Sequence, residues 1–277
     1  MTTPLPMTAG RRAALILGVP LALAVIAWTA LTAVAFAGQG SYSVRLVVPV
    51  HGGTVNLSAG AADVRVTQAP GKQLRLTGTA RYSLVRSKVT WHPTASGVTV
   101  STQCRFVTGV CDFNFRAVLP AGKRAVLSDG SGNLTLRGLT GPVSVGSGSG
   151  DVQANLLTGA VSLQNGSGDI SGNSLSGPRV TLKDGSGDIV IHGLASLDVV
   201  VSDGSGDIAL TFSKVPSRVR VSDSSGNVSV VLPPGPTHYQ VNATTNSGNR
   251  TVSVPTNSGS AHVITVTDGS GDVSVTN

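Results

Sequence analysis

The sequence contains no glutamate, and all 13 of its acidic residues are aspartates. Charged residues make up 12% of the chain, aromatic residues 4%, and only two cysteines occur in 277 residues. Each shortage excludes something. Glutamate is a good helix former, so its complete absence argues against a soluble helical bundle. Two cysteines rule out a disulfide-dense scaffold. With Trp28 inside an apolar run, Trp91 is the one tryptophan left to serve as a platform for sugar stacking. The histidines, His51, His92, His192, His238 and His262, are scattered and match no metal or triad spacing. No catalytic residue and no cofactor is therefore expected, and a β-helix polysaccharide-active enzyme stands only as an outside alternative.

What is abundant is glycine, with 35 residues, among valine, threonine, serine and aspartate. Glycine and aspartate suit turns, whereas β-branched residues suit strands. The chain is expected to be all-β after its N-terminus.

Residues 13–38 carry no charge and include Leu15, Leu17, Leu21, Leu23, Ile26 and Leu31. A helix of this length crosses a hydrocarbon core of about 30 Å. Arg11 and Arg12 precede it, which places residues 1–12 in the cytoplasm and the remainder outside. Residues 13–37 are thus read as a transmembrane signal-anchor. The alternative is a long signal peptide cleaved after Ala37, at the small-x-small pattern Ala35-Phe36-Ala37. The first reading gives a single-pass membrane protein with its C-terminal part extracytoplasmic, and the second a secreted one.

The net charge of +7 is unevenly spread: +2 over residues 1–37, +9 over 38–128 and −4 over 129–277. A basic region beside a membrane suits anionic cell-wall polymer or lipid headgroups. No nucleic-acid partner is expected.

The decisive feature is a repeat. Ser-Gly-Asp or Ser-Gly-Asn ends at Asn133, Asp151, Asp169, Asp188, Asp207, Asn227, Asn249 and Asp272, at spacings of 18, 18, 19, 19, 20, 22 and 23 residues. Each turn is followed by an alternating strand, a second corner and a returning strand. This pattern predicts a parallel β-solenoid, β-helix-like or β-roll-like, with about 18–23 residues per coil. Val152, Ala154 and Leu156 are expected to point inward, in layers with Ile170, Ile189, Ile191, Ile208 and Leu210. The glycines Gly132, Gly150, Gly168, Gly187, Gly206, Gly226, Gly248 and Gly271 fit corners that need positive φ or close backbone approach. Four residues before each Asp or Asn lies a second polar column: Asp129, Ser147, Asn165, Asp184, Asp203, Asp223, Thr245 and Asp268.

Stacked carboxylates raise the possibility of calcium, with Asp184, Asp188, Asp203 and Asp207 as the candidate ligands. A cage of six to eight oxygens is not evident in the pattern, and a structural ladder of Asp and Asn is the favoured reading.

Residues 129–277 form the regular solenoid. Residues 38–128 lack the period and read as a β-rich, membrane-proximal cap continuous with it, where Ala61-Ala62-Asp63-Val64 resembles a degenerate first coil. Cys104 and Cys111 are expected to form a disulfide across a hairpin with a four-residue loop, residues 106–109. The chain ends within a strand, which suggests an open C-terminal solenoid edge available for self-association.

The Ser-Gly-Asp-Val/Ile turns at Asp151, Asp169, Asp188 and Asp207, together with Val118-Leu119-Pro120, resemble the bacterial putative-adhesin family of β-strand repeat proteins. The resemblance covers about residues 44–275. It implies a membrane-anchored or secreted β-solenoid without known catalytic residues, acting as an adhesin or a structural scaffold. An envelope-sensing or accessory protein that uses the basic half is the alternative. N-terminal sequencing of the mature protein separates the two membrane readings: an anchor keeps residues 1–37, whereas a start at Gly38 overturns it.

Overall fold

The computed structural model describes residues 9–104 and 109–277, with side chains from residue 17 onward apart from 35 and 36. Most of the expected cytoplasmic stretch 1–12, and residues 106–108 of the expected loop, lie outside the described residues. A helix spans Ala9–Ala37. Its segment Leu17–Val34 has a mean hydropathy of 2.1 and no residue buried against the rest of the chain.

The first strand, Gln39–Pro49, begins immediately after the helix and opens a stack of two long sheets. One sheet has 12 strands and the other 11. From Arg124 onward each coil gives one strand to the 11-stranded sheet and the next to the 12-stranded sheet. The coil Val161–Asn165 and Ile170–Leu175 is typical. Neighbouring coils pair in parallel and in register, so that like residues stack: Val152, Ile170, Ile189, Ile208, Val228 and Val273 form one buried column. On the facing sheet Val143, Val161, Val180, Val199, Val219 and Ile264 form another. Each such side chain stabilises the fold by about 1.5–3 kcal/mol. A single coil has no second face to cover its own, so stability is shared between neighbours.

The cap and the solenoid are continuous. Strands Thr54–Ala59 and Ala62–Ala69 make the first coil and pair with Arg124–Asp129 and Leu134–Arg137. Beyond them Gly97–Gln103 and Cys111–Pro120 add one more parallel layer, and only then do the sheets turn antiparallel. In one, Cys111–Pro120, Gln73–Ser83 and Gln39–Pro49 follow in order. In the other, Gly97–Gln103 pairs antiparallel with the edge strand Lys88–Thr94.

Three expectations are corrected. Leu156 does not face inward. Its backbone is left-handed (φ 57°), which swings its side chain out to 48% exposure and makes Leu157 the buried residue. Cys104 and Cys111 are joined, with Cα atoms 5.9 Å apart, but not across a hairpin. The strand before Cys104 belongs to the 11-stranded sheet and the strand beginning at Cys111 to the other, so the disulfide spans a corner.

The third correction concerns the far end. The last coil, Val263–Asp268 and Val273–Thr276, inserts between the coil Arg218–Asp223/Val228–Val231 and the coil Gln240–Thr245/Arg250–Ser253. The chain's final strand is therefore internal, and the edge strands are Gln240–Thr245 and Arg250–Ser253. The proline-bearing connections through Pro233, Pro234, Pro236 and Pro255 carry the chain out to the edge and back. Insertion gives both edges of the C-terminal strand a hydrogen-bonding neighbour, which a strand at the rim of the sheet lacks.

The inward switch at Leu157 is testable by substitution. Leu157→Ala is expected to cost about 2–4 kcal/mol, and Leu156→Ala less than about 0.5 kcal/mol, in chemical denaturation. Equal losses would contradict the left-handed turn.

Candidate functional site: two polar columns and an arginine face

The turn residues form a continuous ladder along the outside of one corner. The amide of Asn133 donates to Asp63 Oδ1 at 2.9 Å, and the amide of Asp151 donates to Asn133 Oδ1 at 2.9 Å. The same bond recurs from Asp169 to Asp151, Asp188 to Asp169, Asp207 to Asp188 and Asn227 to Asp207. It then jumps 45 residues, with Asp272 donating to Asn227, and ends with Asn249 donating to Asp272. Each side chain thus binds the backbone of the neighbouring coil rather than its own turn. Asp63, in the degenerate first coil, is the first rung.

The preceding glycines, Gly132, Gly150, Gly168, Gly187, Gly206, Gly226, Gly248 and Gly271, all have φ between 98° and 145°. A Cβ on Gly206 would also collide with the carbonyl of Gly187 in the neighbouring coil. Only glycine meets both demands.

The second column lies inside the same corner. Asp129, Asn165, Asp184, Asp203, Asp223 and Asp268 are each at most 8% exposed. Ser147 and Thr245 occupy the same position in their coils and are half-buried. Because the last coil is inserted, Asp184, Asp203, Asp223 and Asp268 follow one another in four adjacent coils.

The neutral members show what this position requires. Asn165 Nδ2 donates to the carbonyls of Gly150, Ser167 and Gly168 at 3.1, 3.1 and 2.8 Å. Thr245 Oγ1 donates to the carbonyls of Ser247 and Gly271, and Ser147 Oγ to that of Ser149. The corner therefore offers carbonyl oxygens to a donor.

An ionised aspartate has no proton to give. Asp184, Asp203 and Asp223 each accept the following amide on Oδ1 at 2.7 Å, while each Oδ2 is buried without a partner. Asp268 is better served, because the Ser270 amide donates to its Oδ1 and the Thr245 hydroxyl, whose single proton is shared with the two carbonyls, lies 3.1 Å from its Oδ2.

Burial pushes the pKa of Asp129 from 3.8 up to about 7, with repulsion from Asp63 adding to it. The amides of Gly130 and Ala62 lie near enough to oppose the rise, yet they donate to Ala59 and Ser131, and both Asp129 oxygens lack a bond of ordinary geometry. Burial likewise raises Asp184 to about 6, with Asp203 and Asp169 contributing repulsion. Asp203 and Asp223 are raised for the same leading reason.

The calcium candidates divide between the two columns. Asp188 and Asp207 stand in the outer ladder and already accept the next coil's amide, whereas Asp184 and Asp203 stand in the inner one. Among the described residues, no group of three or more His, Cys or Asp side chains is placed to hold a metal ion. The five histidines remain apart, and His262 is tied to the carbonyl of Pro216 at 2.8 Å.

The cap carries the basic excess on the outer face of the 12-stranded sheet. Arg45 lies opposite Thr77, Thr77 opposite Arg116, and Arg116 opposite Arg65. Arg75 stands one row away beside Val47 and Val118. Like charges opposite one another on adjacent strands are unfavourable. Asp63 and Asp112 share this face, but among the described residues neither forms an ion pair with these arginines. The sequence signalled the basic half but not its concentration on one face, which depends on the antiparallel register of the cap.

A stack of parallel two-stranded coils with a continuous side-chain ladder at one corner defines a β-solenoid. Residues 123–276 match the family described as Toastrack DUF4097, and the chain belongs to that family. Its fold is similar to that of a solved protein from Parabacteroides distasonis named a putative adhesin (14% identity, 85% of this chain and 96% of that chain covered, TM-score 0.54). Another from the same organism, named a putative lipid binding protein, is similar at 12% identity, with 86% and 96% covered and a TM-score of 0.52. No curated protein matches the chain.

Two outcomes follow from the columns. Asp129, Asp184, Asp203 and Asp223 hold protons in the folded state that the unfolded chain has released above about pH 4. Their contribution is therefore full below that pH and is lost as pH rises through about 6 and 7. The melting temperature is expected to fall by roughly 5 °C or more between about pH 5 and about pH 8. Replacing Asp129 and Asp184 by Asn should flatten that dependence, and a profile rising with pH would contradict it. Separately, Gly206→Ala is expected to destabilise by about 3 kcal/mol or more in denaturant titration.

Proposed function

We propose that this is a non-enzymatic cell-envelope surface protein, a rod held at the membrane by its N-terminal helix and presenting the solenoid outside the cell. The observation that carries this reading is the unburied apolar stretch Leu17–Val34, which runs almost directly into the first strand at Gln39. A helix apolar all round with no packing partner in its own chain has lipid as its natural surroundings. The solenoid beyond it is stiff in one direction, because each coil is bonded to its neighbours through both sheets and the corner ladder. It offers regular strand faces instead of a cleft lined by converging acids, bases and nucleophiles. A structural or adhesive role follows from that shape.

A second reading is supported by the arginine face. Arg65 and Arg116 oppose each other and among the described residues form no ion pair, so an anionic wall polymer laid across the face would relieve their repulsion. Self-association through the solenoid's far end, where this reading includes it, falls on Gln240–Thr245 and Arg250–Ser253 and not on the chain terminus.

The anchored, outward orientation is tested by alkaline carbonate extraction combined with protease treatment of intact cells. The protein should stay with the membrane pellet and lose its solenoid to external protease. Release into the supernatant, or complete protection, would overturn the reading. For the arginine face, retention of the full chain on anionic wall polymer should fall at least about threefold when Arg65 and Arg116 become Glu, and should weaken with salt. Unchanged retention removes that role.

A further inference from the structure

The solenoid has two ends, and the one next to the helix is built differently from the other. Its edge strands are Gln39–Pro49 in one sheet and Lys88–Thr94 in the other. Between them the core is incompletely covered: Tyr42, Val44, Leu46 and Val89 pack on it but remain half-buried. Trp91 sits opposite the buried Val100 and is 41% exposed, because no further strand lies beyond it. The apolar layer of the core thus ends in an aromatic and aliphatic rim.

The loop joining Gln73–Ser83, which lies beside the first edge strand, to the second edge strand, Lys88–Thr94, reaches back to the helix. The amide of Leu84 donates to the carbonyl of Gly38 at 3.0 Å, and the side chain of Leu84 lies against Gly38. Leu84 has φ 59°, a conformation unfavourable for a leucine. Leu84 and Val85 are each 39% exposed at the point where the helix ends. The loop is held at both sides: Ser83 Oγ accepts the amide of Val110, and Tyr42 donates its hydroxyl to the carbonyl of Ser87. Arg86 is folded over the Tyr42 ring at 4.0 Å. Arg81 and Lys88 flank it, and Asp112, opposite Arg81, is the acid nearest in register.

Exposed aliphatic residues at a rigid loop tip, a tryptophan at the rim and a cluster of cations are the chemistry of an interfacial anchor. Apolar groups enter the headgroup boundary while cations meet anionic phosphates. We infer that this end of the solenoid docks on the bilayer surface, with Leu84, Val85 and Trp91 in the interface and Arg81, Arg86 and Lys88 on anionic phospholipid headgroups. The occupant is a membrane because the tip touches the residue at which the membrane helix ends. A freely diffusing partner has no such reason to be there. The inference rests on the helix being a membrane anchor. It adds that the rod stands on the bilayer by its end face and is not loosely tethered.

The test uses the full chain with Trp28→Phe, so that Trp91 is the only tryptophan, reconstituted in nanodiscs of phosphatidylcholine with or without phosphatidylglycerol. Acyl chains brominated near the glycerol end should lower Trp91 emission about twofold in the anionic discs, and less in the neutral ones. Leu84→Asp with Val85→Asp, or Arg86→Glu, should restore the emission; these side chains are exposed, so the fold is retained. A chain found in the discs whose Trp91 is unquenched by bromine and quenched by iodide overturns the docking alone. Equal quenching in both lipids, unaffected by Arg86→Glu, overturns the headgroup contact. A chain that does not enter the discs overturns the anchor reading, and the docking with it.

Discussion

The fold depends on one repeated bond, the backbone amide of each Ser-Gly-Asx corner donating to the Asx side chain of the coil below. A two-stranded coil of about 18 residues cannot bury its own apolar face, so its existence relies on exact stacking against neighbours. Main-chain pairing alone sets strands side by side but tolerates slippage, because a parallel ladder looks alike at every second residue. The corner removes that freedom. Asp188 accepts from Asp207, and the glycine beside each lies so close to the preceding coil's carbonyl that no side chain fits between them. Register at the corner then propagates into both sheets, and the buried columns from Val152 to Val273 and from Val143 to Ile264 follow.

The same stacking creates the molecule's main electrostatic tension. Carboxylates brought into register every coil repel, and those inside the corner also lose water. The outer column relieves this by exposure and by an amide for every Oδ1 except that of the last rung, Asn249, with Asn at three of its nine rungs. The inner column has no such outlet. Its carbonyl-lined position is satisfied by the donors of Asn165, Ser147 and Thr245, and by an aspartate only when that aspartate keeps its proton. Stability that declines toward alkaline pH is thus a by-product of placing Asp129, Asp184, Asp203 and Asp223 at this buried position.

Much of this was legible in the sequence. The spacing of Ser-Gly-Asx from Asn133 to Asp272 gave the coil length, the strand pairs and both polar columns, because each coil repeats the same local chemistry. Even Asp63 was visible as a degenerate rung. Four things were not legible. The exit of Leu156 from the core depends on one backbone torsion that an alternating pattern does not encode. The corner-spanning disulfide depends on which sheet each flanking strand joins, and Cys104 and Cys111 are equally compatible with a hairpin at that spacing. The insertion of the last coil left a trace only in the lengthened spacings of 22 and 23 residues, which accommodate the excursion out to the edge and back. The end face was hidden for a related reason: Leu84, Trp91 and Tyr42 are brought together only by the antiparallel turn of the cap.

The order of the coils is the claim on which the ladder, the four-aspartate run and the location of the open edge all rest. Hydrogen exchange resolved to single amides tests it most directly. The account predicts that Asp272 and the strand Val273–Thr276 exchange as slowly as Val228–Val231, while Arg250–Ser253 at the edge exchanges much faster. A C-terminal strand that exchanges fastest of all, with Arg250–Ser253 protected, would place the last coil at the edge and contradict the inserted order.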